Sequence, residues 1–280
     1  MKAFGLILKI LAGFIAIIII AVGIIVATVD PNDYHDEITN LVKKETGRDF
    51  KVENMSLSLF PHLGINLESA SLSNAKGFSQ TPFVSIEKVQ LGAAILPLLS
   101  QNLEVDTLTL HGLKLNLEKD ADGKTNWDDL AKSGHDDSEH VDAEISGHPM
   151  DKLASLNFGG IDIQDGSVTW SDKQNAQTLT LDNLNFSSGA ITFGEFFTIE
   201  LSAQSKVSKL EIASDLAITL EAKLDKDGQY ALRNLVVKNS TSGKGIPVEK
   251  ASTEIKLPSF TLENQVLSLP SLTVNYDVIG

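Results

Sequence analysis

The sequence predicts a mainly β protein: an N-terminal transmembrane helix and a short helix, then an elongated, curved antiparallel β-sheet, groove-like, with few short helices. Three observations lead there. Ile10 to Val29 is a run of 20 residues without charge, the length that spans a bilayer as helix. From Asp49 onward apolar residues alternate with polar ones at period two almost to the last residue. No stretch after Gly47 sustains the 3.6-residue period of a helix long enough to cover such a sheet.

Thirteen residues of the 10–29 run are Ile, Leu, Val or Phe. At roughly −0.3 to −0.6 kcal/mol each for insertion they outweigh its Gly, Ala and Thr. A cleaved signal peptide is the rival reading, since Ala21-Val22-Gly23 is a small-x-small site. The apolar run continues past that site through Ile24, Ile25, Val26 and Val29, too long for an h-region, which favours an uncleaved anchor. Lys2 and Lys9 precede the span, whereas Asp30, Asp33, Asp36 and Glu37 follow it. Residues 1–9 are therefore expected in the cytoplasm and the chain after residue 29 across the membrane.

Residues 30–47 read as a helix, with Asp30 as N-cap, Pro31 in the first turn and Gly47 as the stop. Tyr34, Ile38, Leu41 and Val42 form its apolar stripe, expected to pack across the end of the following domain. Residues 48–118 make a first β section, a meander with one apolar and one polar face, turning near Pro61-His62, Asn74 to Gly77 and His111-Gly112. Pro97 interrupts it at Ile95 to Leu99, which reads as a short helical turn. Residues 119–155 form an acidic loop with a short Asn126 to Lys132 helix anchored by Trp127, and 156–280 are a second β section.

Composition excludes several functions. Formal net charge is −14; setting Lys2 and Lys9 aside leaves 21 basic against 37 acidic residues, −16 for the remainder, which repels nucleic acid and anionic headgroups. Without cysteine there is neither disulfide nor thiol chemistry. His135, His140 and His148 share the acidic loop, but their spacing suits no metal geometry. Asp120-Ala-Asp122-Gly and Asp225-Lys-Asp227-Gly lack the later ligands of a calcium loop, and Thr241-Ser-Gly-Lys244-Gly245 lacks the residues of a phosphate loop. The expectation is a non-enzyme without cofactor or metal.

The N-terminal span, DPNDYHDEITNLVKKETGRDF, LSLFPHLGINLESASLSNAKGF, AAILPLLSQNLEVDTLTLHGLKLNLEKDADGKTNWDDL and GSVTWSD, in that order, resemble the AsmA family of Gram-negative inner-membrane proteins. The resemblance covers nearly the whole chain. It implies a single-pass inner-membrane protein with a periplasmic bulk, tied to outer-membrane assembly and phospholipid homeostasis; larger relatives look like bridge-type lipid carriers. Family members are often longer, and SLTVNYDVIG ends without a closing turn or helix, so a fragment and a short member are both open.

Alternation independently leaves an apolar face that must close on itself or hold something oily. Leu57, Leu59, Ile65, Leu67, Ile86, Leu108, Leu110, Leu115 and Leu117 are the expected lining of a groove for phospholipid acyl chains. The alternative is a closed β core serving as a scaffold or assembly factor for envelope proteins. An outer-membrane barrel conflicts with the uncleaved span and with 6% aromatic residues.

Overall fold

A computed structural model describes residues 30–58, 63–93, 104–133, 157–225, 230–263 and 266–280. The predicted span, Lys2 and Lys9, Leu59, the turn at 95–99 and most of the acidic loop lie outside the described residues. Among the described residues no helix is long and apolar enough to cross a membrane.

Asp30 caps the first turn through Oδ1, which accepts from the Asn32 N–H at 2.9 Å. Pro31–Tyr34 is a 3-10 turn, and the α-helix proper, α1, runs His35–Thr46. Gly47 ends it in the left-handed region (φ 69°), its N–H on the Lys43 carbonyl. The apolar stripe expected to pack across the end of the following domain does so only in part: Val42 is half-buried and the helix meets β1. Tyr34, Ile38 and Leu41 are exposed, Leu41 to 59%. The helix is rotated by its polar anchors: His35 Nε2 lies 3.3 Å from the Val52 carbonyl, and Arg48, just past the helix, is buried.

Among the described residues sixteen strands form one curved sheet. They are β1 Phe50–Lys51, β2 Asn54–Ser58, β3 Leu63–Leu72, β4 Val84–Ala93, β5 Glu104–Val105, β6 Leu108–His111, β7 Lys114–Lys119, β8 Asn157–Phe158 and β9 Ile161–Asp172. The rest are β10 Gln177–Ser188, β11 Phe196–Val207, β12 Ile212–Leu224, β13 Tyr230–Gly243, β14 Lys250–Glu263, β15 Val266–Ser268 and β16 Thr273–Ile279. A short helix, α2, spans Asp128–Ser133, close to the predicted one.

The expected purely antiparallel sheet is also corrected. β6 and β7 run parallel to β9, and β5 parallel to β8. Parallel neighbours need a crossover of a dozen or more residues, and the acidic stretch between β7 and β8 supplies it. That stretch joins two antiparallel runs within a single sheet, β1 to β7 and β9 to β16.

A packed cluster sits at the first edge, where Val52, Met55 and Ala70 are buried with Phe50 and Leu67 against them. Beside it lies a polar knot. Asn126, 0% exposed, donates to Asn74 Oδ1 and the Asn116 carbonyl, each at 2.8 Å, and accepts from the Glu118 N–H at 2.9 Å. The Glu118 carboxylate accepts from Asn74 at 2.7 Å, Asn116 at 2.8 Å and the Ser79 hydroxyl. Arg48 holds Asp129 through Nε and Nη2 and stacks 4.6 Å over Phe83. Trp127 closes on Trp170 with ring centroids 5.3 Å apart. Helix α1, the β3–β4 loop, β7 and α2 are thereby tied together.

Candidate functional site

Residues opposite one another on neighbouring strands point to the same face of a sheet. One such row is apolar across the whole structure: Met55, Leu67, Val89, Leu110, Ile163, Phe186, Leu201, Ile218, Val237, Ile255 and Val274. Ten strand-to-strand steps at roughly 4.8 Å each give a path about 48 Å long. Met55 is buried; Val274 is exposed, and the residues between them are half-buried. Helices α1 and α2 pack on each other and α1 on β1, at one end of the sheet, so among the described residues no helix lies over the face from β10 onward.

The expected lining residues that the structure describes, all but Leu59, stand on this face. Leu67 and Leu110 belong to the row, and Leu57 pairs with Ile65, one step to its side. Leu108 pairs with Ile161. Ile86 stands opposite Ala70, Leu115 between Val84 and Val168, and Leu117 opposite Trp170. A second row runs Leu72, Val84, Leu115, Val168, Leu181 before turning to Ser205 and Ser214 in the later strands.

Strict alternation would put Leu110 and Leu115 on opposite faces, because they are five residues apart. A line of left-handed residues prevents this: Ser69 (φ 53°), Gly112 (φ 64°), Asp165 (φ 53°) and Asn183 (φ 50°), with Asn234 (φ 55°) repeating the device in β13. Where register shifts are recorded, as at Asn183 in β10 and Asn234 in β13, these residues are the extra ones of bulges. In-facing residues beside them are three apart instead of two, as in Leu181 and Leu184 or Leu232 and Leu235. That spacing was the signal in the sequence for the bulges, and for the continuity of the face.

Residues that the sequence reading did not single out complete the track: Ile163, Phe186, Leu201, Ile218, Val237, Ile255 and Val274. A recess of about 290 Å³ lies over Ile163, Phe186, Leu201 and Ile218. A second, of about 450 Å³, is centred on Leu216, Asn239, Thr253 and Tyr276. A larger cleft, about 1170 Å³ and of mixed polar and apolar lining, lies between the end of α1, the β3–β4 loop and the start of α2.

Electrostatics concentrate away from the track. Burial alone would raise the Glu118 carboxyl, but hydrogen bonds from Ser79, Asn116 and Asn74 outweigh it and hold the group below its ordinary value. Hydrogen bonding from Arg48 does the same for Asp129. On the polar face His111 lies between Glu87 and Asp165, at 3.5 and 3.4 Å, and Glu87 also meets Lys114 at 3.1 Å. Among the described residues no group of three or more His, Asp or Glu converges as metal ligands would. The geometry of the track suits holding apolar chains.

The model of the AsmA family matches residues 1–275. No curated protein matches the chain.

Proposed function

The chain belongs to the AsmA family, and from that premise we propose that it is a membrane-tethered, non-enzymatic envelope protein that holds or transfers lipid acyl chains along its apolar sheet face. In this reading residues 10–29 anchor it in the inner membrane with Lys2 and Lys9 cytoplasmic, and the sheet stands in the periplasm, supporting phospholipid homeostasis and outer-membrane assembly. The observation that carries the proposal is the eleven-residue apolar row, over whose second half no helix packs among the described residues. Each methylene laid there gains roughly 0.8 kcal/mol, so a long row offsets much of the cost of leaving a bilayer.

The test is photo-crosslinking in cells. Crosslinkers at Leu115 and Leu201 are expected to capture phospholipid, and those at Thr109 and Glu200, on the other face, are not. Equal capture from both faces, or none from either, would favour the scaffold reading, in which envelope proteins are the partners.

A further inference from the structure

The track is not apolar throughout. One side-chain step from the row, roughly 6.7 Å along the strands, β12 to β16 place Leu216, Asn239, Thr253 and Tyr276 opposite one another. Ser214 and Thr241 stand one step further on the same face. The Ser214 and Thr241 hydroxyls are 2.8 Å apart, and Asn239 Nδ2 donates to Thr241 Oγ1 at 2.9 Å. These bonds fix the Asn239 amide and leave its second N–H, with the Thr253 and Tyr276 hydroxyls, to serve the 450 Å³ recess. Tyr276 is 81% exposed. No Lys, Arg, Asp or Glu stands in this row or in the apolar row beside it.

We propose that Asn239, Thr253 and Tyr276 form a polar station on the track, donating hydrogen bonds to the acyl ester carbonyls of a glycerolipid whose chains lie over Ile218, Leu201 and Phe186. The assignment rests on the lipid-holding reading and names the part of the lipid that is recognised. Lys238, Asp215, Glu254 and Asp277 also border the recess, but they alternate with this row and so belong to the other face, and the one cation is outnumbered by three carboxylates. The neutral donors of the row suit a neutral carbonyl better than a phosphate or carboxylate. Both recesses touch Ala217, so the polar and apolar sites adjoin. A lipid with its ester region at Asn239 and its chains running toward β9 uses both.

The carbonyl could come from a glycerolipid ester or from a free fatty acid, and competition separates them. The full chain in detergent micelles is crosslinked to a photoactivatable phosphatidylcholine and competed with diester phosphatidylcholine, its diether analogue of equal chain length, and palmitate. The diester is expected to compete roughly tenfold better than the diether, the worth of one or two hydrogen bonds. The combined Asn239→Leu, Thr253→Val and Tyr276→Phe variant is expected to lose that preference while binding the diether as before. Equal competition by diester and diether in the unmutated chain overturns the station and leaves the track standing. Palmitate matching the diester overturns the glycerolipid assignment. Absence of any crosslink in the unmutated chain overturns the track itself, and the station with it.

Discussion

The strands before and after the crossover belong to one sheet yet are stabilised in different ways. The first run, β1 to β7, is short-stranded and carries a packed cluster, a buried polar knot and both helices. Its outer edge is capped: the Asn32 amide meets β2 like a neighbouring strand, donating to the Met55 carbonyl and accepting from the Met55 N–H, each at 2.9 Å. The second run, β9 to β16, has strands of 12 to 14 residues in β10 to β14, and holds together chiefly through its ladders. Burial there alternates between half-buried and exposed along β11 and β12, with few fully buried side chains. Rigid order is thus placed at the helical end, and accessible apolar surface at the other. A sheet that must offer an oily face to a ligand cannot also bury that face in a core of its own.

The largest expected effect comes from breaking the knot. Asn126→Ala leaves the Glu118 N–H and the Asn116 carbonyl short of a partner in a site closed to water, at roughly 1–3 kcal/mol for each group, while Asn74 Oδ1 keeps only its bond from the Ala75 N–H. A loss of about 3 kcal/mol or more is expected in urea unfolding followed by tryptophan fluorescence. Both tryptophans, Trp127 and Trp170, lie beside the knot, so the signal reports that end. Asn239→Ala, a matching deletion in the second run, removes one bond in a half-exposed site and should cost less than ~1 kcal/mol. Equal losses would erase the contrast between the two runs.

Next in size is a charge on the track. Leu201→Lys is expected to abolish lipid crosslinking from Leu115 while shifting stability by less than ~1 kcal/mol, because the long side chain can lift its ammonium into water from a half-buried position. Met55→Lys, in the buried cluster, should instead unfold the first run, since its charge has no such route. If Leu201→Lys leaves capture unchanged, the row is not the path of the chains.

How far the sequence could be read follows the same division. Period-two alternation identified the β architecture, because local pattern decides which face a side chain takes within an uninterrupted strand. That Leu110 and Leu115 share a face depends on the left-handed residue between them, Gly112. Gly47 and Trp127 also behaved as their chemistry suggested. Two features depend on distant residues and were not legible. The parallel pairing at β9 is a property of the crossover, which alternation along single strands does not encode. The rotation of α1 is set by hydrogen bonds from His35 to Val52 and from Arg48 to Asp129, between residues 17 and 81 positions apart. Those polar contacts overrode an apolar stripe that the helical period alone would have buried. The polar station was missed for a further reason: Asn239, Thr253 and Tyr276 are ordinary strand residues until pairing places them side by side.

Acid should expose the contrast again, with a smaller effect. The carboxyls of Glu118 and Asp129 are held below their ordinary values when folded, so their contribution is present above the unfolded pKa and is lost as pH falls through the depressed folded one. The fluorescence midpoint is therefore expected to drop on acidification below the ordinary carboxylate range. Glu118→Gln should be less stable at neutral pH, and its remaining acid response should be weaker. An unchanged acid response in that variant would mean that the knot does not govern acid stability.

The smallest effect tests the left-handed residues that keep the face continuous. Ser69 adopts φ 53° without the side-chain amide or carboxylate that eases this conformation at Asp165, Asn183 and Asn234. A left-handed L-residue costs roughly 1–2 kcal/mol, whereas glycine there is free of the Cβ clash but gives up about 0.5–1 kcal/mol of unfolded-state entropy. Ser69→Gly should therefore stabilise the first run by a few tenths up to about 1 kcal/mol, and Asn234→Gly in the second run by less. Ser69→Val should lose well over the gain, because a β-branched residue resists positive φ more strongly than serine does. If Ser69→Val is neutral, the strand has slipped register instead of holding the left-handed residue in place. Ala70 and Leu72 would then turn to the polar face, the buried cluster would lose Ala70, and the row would be broken between Leu67 and its neighbours. Crosslinking from Leu115 distinguishes the outcomes, since a slipped β3 leaves Val84 and Leu115 without the Leu72 contact that continues their row.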